Sequence, residues 1–331
     1  MPLVVVEIAD PWILKYCRFV FTLHDPIICT GGRCASSTGG DDGQDDAPPN
    51  CFACGPAAAG RAGAVTGNYV PDFEHPFVGL VVFYDANGEF IGRCSGSLLT
   101  PTILLTAGHC TDGAASARVY FQQDAGAHYD PETELDPITG YPDDCYDPSL
   151  CTTASLVYNY GFSDFAGFPN TSDVGLVILD NPIYLDEYAV LAAPNSLDSL
   201  ATQCGLQDVT FTVSGYGLSR SNPQFVESYR SRLMAETKLV NVNSALTDGF
   251  NLQTTASPGQ GRGGTCFGDS GGPVFYSTTN TIVGVTSFGL NGNCVGVDFA
   301  YRIDQQAVID WIFATAAAAG QDTDLIQVVP L

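Results

Sequence analysis

The stretch Cys266-Phe267-Gly268-Asp269-Ser270-Gly271-Gly272-Pro273 sets a serine hydroxyl inside a run of glycines. A serine hydroxyl is a weak nucleophile until a base takes its proton. Glycines tolerate the unusual backbone angles that turn N–H groups toward one spot. Alone, such a stretch also reads as a tight loop. Its meaning changes with two upstream segments. Leu104-Leu105-Thr106-Ala107-Gly108-His109-Cys110 offers a base, and Ser172-Asp173-Val174-Gly175-Leu176-Val177-Ile178-Leu179 offers a carboxylate. Of the four histidines, His24 and His128 lie in acidic or proline-bearing loop contexts, and His75, in Glu74-His75-Pro76, reads as a turn residue. Only His109 follows an apolar run and precedes a cysteine able to pin it. Asp173 opens an apolar strand that must be buried. By itself it would read as a strand-end cap, but a buried aspartate beside a histidine fixes the imidazole tautomer and stabilises the imidazolium.

In the order His, Asp, Ser, these segments resemble the signature motifs of the chymotrypsin/trypsin family of serine peptidases, an order that the α/β-hydrolases and subtilisins do not share. The likeness covers residues 64–316. It implies an all-β fold of two six-stranded antiparallel Greek-key barrels, with the site between them and a C-terminal α-helix. It implies Ser270 as nucleophile, His109 as general base and then acid, and Asp173 as its orienter. The N–H groups of Gly268 and Ser270 would form the oxyanion hole, and Asp269 would pair with an α-amino group released from a zymogen. Substrates would be proteins or peptides, cut through an acyl-enzyme, and no cofactor would be required.

The resemblance also addresses specificity and activation. Six positions before the nucleophile, at the base of the family's primary specificity pocket, stands Gly264, followed by Thr265, where trypsin-like members carry Asp. Ser287-Phe288-Gly289 resembles the Ser-Trp-Gly strand that pairs with the substrate backbone, and Gly289 should leave the pocket mouth open. Asp298 falls on the back wall. Turned inward, it would restore a preference for Lys or Arg; turned outward, it would leave an apolar or aromatic preference. Ala64-Val65-Thr66-Gly67, just after Arg61, is similar to the family's mature N-terminus, so an activating protease would cut near residues 61–63. The rival reading is a non-catalytic binding protein on the same scaffold, against which the intact triad argues.

The chain has 331 residues, 36 acidic against 12 basic, and a net charge of −24. That length suffices for a two-barrel enzyme of roughly 240 residues with extensions. The charge excludes nucleic acid and anionic membranes as natural partners. Together with 12 cysteines it fits an oxidising, extracellular setting, although no tidy signal peptide opens the sequence. No apolar run reaches the roughly 18–20 residues of a membrane span, and a monomer is expected. The resemblance pairs Cys94 with Cys110 and Cys266 with Cys294. Cys145 and Cys151, close in sequence, would clip an acidic insert. Cys17, Cys29, Cys34, Cys51, Cys54 and Cys204 admit about 15 connectivities. The Cys51-Phe52-Ala53-Cys54 pair also admits a zinc site, although disulfides suit a secreted chain better.

Residues 1–63 read as a cysteine-containing extension, linker or propeptide, rich in Gly, Ser, Asp, Pro and Ala from 31 onward. Residues 64–320 form the peptidase-like domain and 321–331 a tail. Leu80–Tyr84 and Glu89–Arg93 flank an Asn87-Gly88 hairpin signal. Val209, Phe211 and Val213 alternate as in a half-buried strand, leading into Gly215-Tyr216-Gly217, which resembles the family's Gly-Trp-Gly. Thr281 to Phe288 is a further strand. A helix is expected from an N-cap at Asp304, with Val308, Ile309, Trp311, Ile312 and Ala316 as its apolar stripe. The insert from Asp124 to Asp147 carries eight carboxylates and no Lys or Arg. It reads as a solvated acidic loop, with Ca²⁺ as the alternative, because hard cations take clustered oxygens. Asn170-Thr171-Ser172 is a glycosylation sequon, but it abuts Asp173, where a glycan fits poorly.

Overall fold

The computed structural model describes residues 65–125, 147–201, 209–222, 225–227 and 230–331, all within one unit that begins at Ala62. Expectations for residues 1–64, including the Cys51–Cys54 motif and Arg61, lie outside the described residues. So do those for Cys145, Cys204, His24, His128 and most of the acidic insert.

Besides the short strands β1 (Thr66–Gly67), β2 (Val70–Pro71), β12 (Arg220–Asn222), β13 (Phe225–Glu227) and β16 (Gly263–Gly264), seven strand segments make the first sheet: β3 (Val78–Tyr84), β4 (Phe90–Leu98), β5 (Ile103–Thr106), β6 (Ser116–Tyr120), β7 (Cys151–Ala154), β8 (Leu156–Asn159) and β9 (Gly175–Ile178). Only Ser155 separates β7 from β8. Since β7 pairs with β6 and β8 with β9, the two act as one bent strand, and the order β3–β6–β7/β8–β9–β5–β4 closes an antiparallel barrel. The expected hairpin joins β3 and β4. Asp85 Oδ1 accepts from the N–H groups of Asn87 (2.8 Å) and Glu89 (2.9 Å), and Gly88 takes the positive φ of 80° that the turn requires.

The second barrel closes in the order β17 (Pro273–Tyr276), β11 (Thr210–Gly215), β14 (Leu233–Asn241), β15 (Asn251–Ala256), β19 (Gly296–Arg302), β18 (Thr281–Gly289) and back to β17. The predicted alternation in β11 is observed: Phe211 and Val213 are buried in the second core with Leu233, Leu252 and Val283. Each such side chain contributes about 1.5–3 kcal/mol. Outside the barrel, β10 (Val190–Ala192) adds in parallel to β18, and β20 (Val328–Val329) adds in parallel to β10. The tail 321–331 therefore folds back onto the segment that joins the barrels.

The C-terminal helix runs Gln306–Ala318 and buries Val308, Ile309, Ile312 and Ala316. Val308, Ile312 and Ala316 join the first barrel's core, while Trp311 is half-buried against Tyr160 at 5.2 Å. Asp304 is not its N-cap; Gln305 holds that position. The Asp304 carboxylate is taken instead by Arg302, at 2.9 Å from both Nε and a terminal nitrogen, and by the N–H of Leu197 at 2.8 Å.

His75 sits in a turn, as its sequence suggests, with its carbonyl accepting from the Val78 N–H at 3.0 Å. It is nevertheless buried, stacked on Phe275 at 4.4 Å. Its Nδ1 lies 2.9 Å from the buried Asp72 carboxylate, which also accepts from Ser214 Oγ at 2.5 Å. Arg232 donates to the backbone carbonyls of Asp72, Val78 and Phe121 and to the Tyr216 hydroxyl. This network ties the entry strap to both barrels. Burial alone would raise the Asp72 pKa, but His75, Ser214 and Arg232 together hold it below the usual carboxylate value. Its stabilising effect is therefore complete above about pH 4 and is lost as pH falls through the lowered folded-state value. Asp72→Asn should cost about 3–5 kcal/mol in urea unfolding at pH 7. That deficit should shrink near pH 2; equal deficits at both pH values would show that the charge of Asp72 is unimportant.

Candidate active site

His109 lies in α1, a single turn (Gly108–Thr111) that follows β5 directly. The Cys94–Cys110 disulfide ties this turn to β4. Gly108 is needed for close approach: a Cβ there would come 3.0 Å from the Val174 backbone nitrogen. That contact brings the turn against Asp173. The His109 backbone N–H donates to Asp173 Oδ1 at 2.7 Å, and Nδ1 lies 2.9 Å from Oδ2 and 3.1 Å from Oδ1. A carboxylate facing Nδ1 keeps the proton there and leaves Nε2 as the basic nitrogen.

Asp173 is fully buried. Burial pushes its pKa upward, but the His109 charge and hydrogen bonds, together with the Ser287 hydroxyl, bring the group below its ordinary value. The hydroxyl of Ser287, on β18, donates to Asp173 Oδ2, so the second barrel supplies part of the support for a carboxylate of the first.

The loop carrying Ser270 is held at each peptide. The Asp269 N–H donates to the Cys266 carbonyl (3.0 Å), Gly272 N–H to Asp269 (2.8 Å), Gly271 N–H to Thr286 (2.8 Å) and Ser95 N–H to Ser270 (2.8 Å). Gly268 and Gly271 take positive φ values of 95° and 76°. A Cβ on Gly271 would strike Thr106 Oγ1 and come 2.7 Å from the Ala107 nitrogen. The loop thus packs against the residues that lead into His109. Thr286 and Ser287, adjacent in β18, grip the Ser270 loop and Asp173 respectively.

Asp269 is wholly buried, its carboxylate accepting from the N–H groups of Gly217 (2.8 Å) and Cys266 (2.9 Å). Burial pushes its pKa up to about 7 despite those bonds, and the neighbouring Asp298 adds to the rise.

Gly264, Thr265, Gly289 and Asp298 come together. Asp298 pairs with Gly289 across β18 and β19. Its Oδ2 accepts from the Thr265 N–H (2.5 Å) and hydroxyl (2.9 Å) and would lie 2.7 Å from a Cβ on Gly264. The side chain is buried and turned toward Gly264 and Thr265. Burial raises its pKa to about 6, partly offset by the Thr265 bonds. Phe288 stacks face to face on Phe299, centroids 4.5 Å apart. The Cys266–Cys294 disulfide closes the loop opposite. Cys151 is disulfide-bonded as well. The amide oxygen of the sequon residue Asn170 accepts from the Tyr301 hydroxyl at 2.7 Å. Sequence reasoning missed Ser95, whose side chain bonds the Gly268 carbonyl at 2.9 Å; the only signal would have been a small polar residue beside Cys94.

A family model described as Trypsin matches residues 67–312. The chain belongs to the trypsin family. Among curated relatives, Brachyurin of Leptuca pugilator is 30% identical over 61% of this chain and 77% of its own. A CLIP domain-containing serine protease B10 of Anopheles gambiae is 25% identical over 80% of this chain and 72% of its own. Solved neighbours include HL collagenase, with a TM-score of 0.54, 19% identity, and coverage of 79% of this chain and 98% of that one. An inactivated protease paralogue of the scabies mite gives a TM-score of 0.51 at 17% identity, over 78% of this chain and 97% of that one. These structures establish the trypsin-family fold of two antiparallel barrels with a C-terminal helix.

The Ser287–Asp173 bond yields a direct test in this family member. A hydrogen bond to a charged group contributes about 1.5–3 kcal/mol, so Ser287→Ala should lower stability to urea by that amount. If the site turns over peptides, the same change should cut turnover about tenfold through loss of His109 alignment. Unchanged turnover would remove Ser287 from the site's support.

Proposed function

We propose that this trypsin-family chain is a secreted serine endopeptidase that acts through Ser270, His109 and Asp173. The observation that carries the reading is the Asp173 carboxylate, fully buried and bonded at once to the His109 backbone and ring. In this scheme Ser270 Oγ attacks the peptide carbonyl carbon as its proton passes to His109 Nε2. The oxyanion accepts from the N–H groups of Gly268 and Ser270. The C–N bond then breaks, the departing amine takes the proton from His109, and an acyl-Ser270 remains. Water, deprotonated by His109, attacks the ester, and the acid product leaves as Ser270 regains its proton.

The substrates would be proteins or peptides, with residues 64–320 as the peptidase domain and 1–63 as an extension or propeptide. Cleavage by another protease near residues 61–63 would suit the zymogen reading. Val65 is buried with φ +72°, a strained angle for a β-branched residue. Thr66 pairs with Gly264 beside the specificity pocket. An amino group released here would serve as partner to the buried Asp269. The non-catalytic alternative draws on solved neighbours titled heparin binding protein and inactivated protease, but likeness at that level speaks to fold alone.

A fluorophosphonate probe, applied before and after limited proteolysis with Ser270→Ala as control, tests the nucleophile. Labelling only after processing and absent in the variant supports a zymogen peptidase. Labelling without processing keeps the enzyme and discards the zymogen. No labelling under any processing favours the binding protein.

An Asp298 turned into the primary pocket would give a preference for Lys or Arg, and its place beside Gly264 and Thr265 supports that reading over an apolar or aromatic preference. Because its pKa is raised to about 6, the carboxyl is neutral below that pH and charged above it. The ratio of kcat/KM for Lys or Arg over Leu substrates should therefore rise as pH passes through about 6. Asp298→Asn should abolish the rise; a ratio independent of both pH and this substitution would overturn the assignment.

A further inference from the structure

Ser95 is wholly buried in β4 of the first barrel, and every polar group it carries is bonded. Its N–H donates to the Ser270 carbonyl at 2.8 Å. Its Oγ donates to the Gly268 carbonyl at 2.9 Å and accepts from the Tyr216 N–H at 2.9 Å. Its carbonyl accepts from Thr106 Oγ1 at 2.8 Å. Gly268 and Ser270 are the two residues whose N–H groups would stabilise the oxyanion. One residue of the first barrel thus grips the second barrel's loop on both sides of Asp269.

We propose that Ser95 is a positioning residue for the oxyanion hole: its hydroxyl holds the Gly268 carbonyl on one side and, through the Tyr216 N–H, the 216–218 segment on the other, whose Leu218 N–H fixes the peptide plane that carries the Gly268 N–H. The inference rests on the reading of Ser270 as nucleophile. Gly268 lacks a Cβ and sits at φ +95°, so its own backbone does little to hold it. Its preceding peptide is fixed where the Leu218 N–H meets the Phe267 carbonyl at 2.8 Å. Its following peptide is held at both ends, by Ser95 Oγ on the Gly268 carbonyl and by the Cys266 carbonyl on the Asp269 N–H at 3.0 Å. The consecutive N–H groups of Tyr216, Gly217 and Leu218 therefore reach Ser95 Oγ, Asp269 Oδ1 and the Phe267 carbonyl. Only the first of these depends on a side chain from the other barrel. Gly215 leaves the space that hydroxyl needs, since a Cβ there would come 2.9 Å from Ser95 Oγ. Without the hydroxyl, a buried donor on Tyr216 and a buried acceptor on Gly268 lose their common partner, and the 268–269 peptide keeps only the bond from the Asp269 N–H to the Cys266 carbonyl.

The test compares the full-length wild type, Ser95→Ala and Ser95→Thr after activation. For each, kcat and KM are measured on a peptide amide, with the inhibition constant of the matching peptide boronate, whose tetrahedral adduct places an oxygen in the hole. Ser95→Ala should lower kcat by ~10–100-fold, short of the roughly 10²–10³ that loss of a whole oxyanion donor costs. KM should stay within about twofold and boronate affinity should fall by the same factor as kcat, because only transition-state binding is affected. Ser95→Thr, which keeps the hydroxyl, should recover most of both. A lower melting temperature with kcat and boronate affinity unchanged would overturn the proposal. Should Ser95→Ala fail to fold, Ser95→Cys, a weaker donor of similar volume, is read against the same two outcomes. A wild type that neither turns over the amide nor binds the boronate removes the nucleophile itself, and the proposal with it.

Discussion

The Asp173 carboxylate is the point on which the candidate site depends. It is out of contact with water, a position that costs a charged group several kcal/mol unless donors surround it. Those donors come from both barrels: the backbone and ring of His109 from the first, the hydroxyl of Ser287 from the second. Any shift of one barrel against the other would leave a buried charge short of partners. The carboxylate that holds His109 therefore also penalises misalignment of the halves. This explains why two separate cores can sustain a site whose residues belong to both.

The second barrel buries two more carboxyls, and their environments differ in kind. Asp173 faces a histidine and is held ionised. Asp269 and Asp298 face mainly backbone N–H groups and a threonine, and burial raises them to about 7 and about 6. Asp298 also resists the ionisation of Asp269. A cation delivered near either one would relieve both. The proposed amino group near Asp269 and the proposed Lys or Arg side chain near Asp298 are thus electrostatically linked: either cation lowers the cost of ionising the neighbouring acid.

The sequence made the architecture legible because strand-forming and motif signals coincide: the apolar run before His109, the Asn87-Gly88 turn and the alternation in β11 each appear where read. The helix was legible by its stripe but not by its cap, because the Arg302–Asp304 pairing depends on two side chains two residues apart whose geometry no cap rule reports. His75 was read as a turn residue, and its burial escaped because Asp72 and Ser214 meet only in three dimensions. The direction of Asp298 was undecidable from the chain, since β18 and β19 had to be registered before Gly289 could be set opposite it. Ser95 gave no signal for the same reason: it acts on residues more than 170 positions away.

That separation bears on how the oxyanion hole proposed at Gly268 and Ser270 would be built. The Ser270 loop contains glycines at 268, 271 and 272, which allow its turns but cannot hold them. Rigidity is imported from elsewhere: Cys294 through a disulfide, the 214–218 strand end through backbone donors, Thr286 through a paired N–H and carbonyl, and Ser95 through a hydroxyl. A loop flexible enough to adopt such angles, then fixed from outside, presents its N–H groups before substrate arrives. Preorganisation of this kind is where most electrostatic stabilisation of a developing oxyanion arises. It also separates two members of one fold that look alike at the level of barrels: a chain with the same strands but without those outside contacts would keep the scaffold and lose the hole.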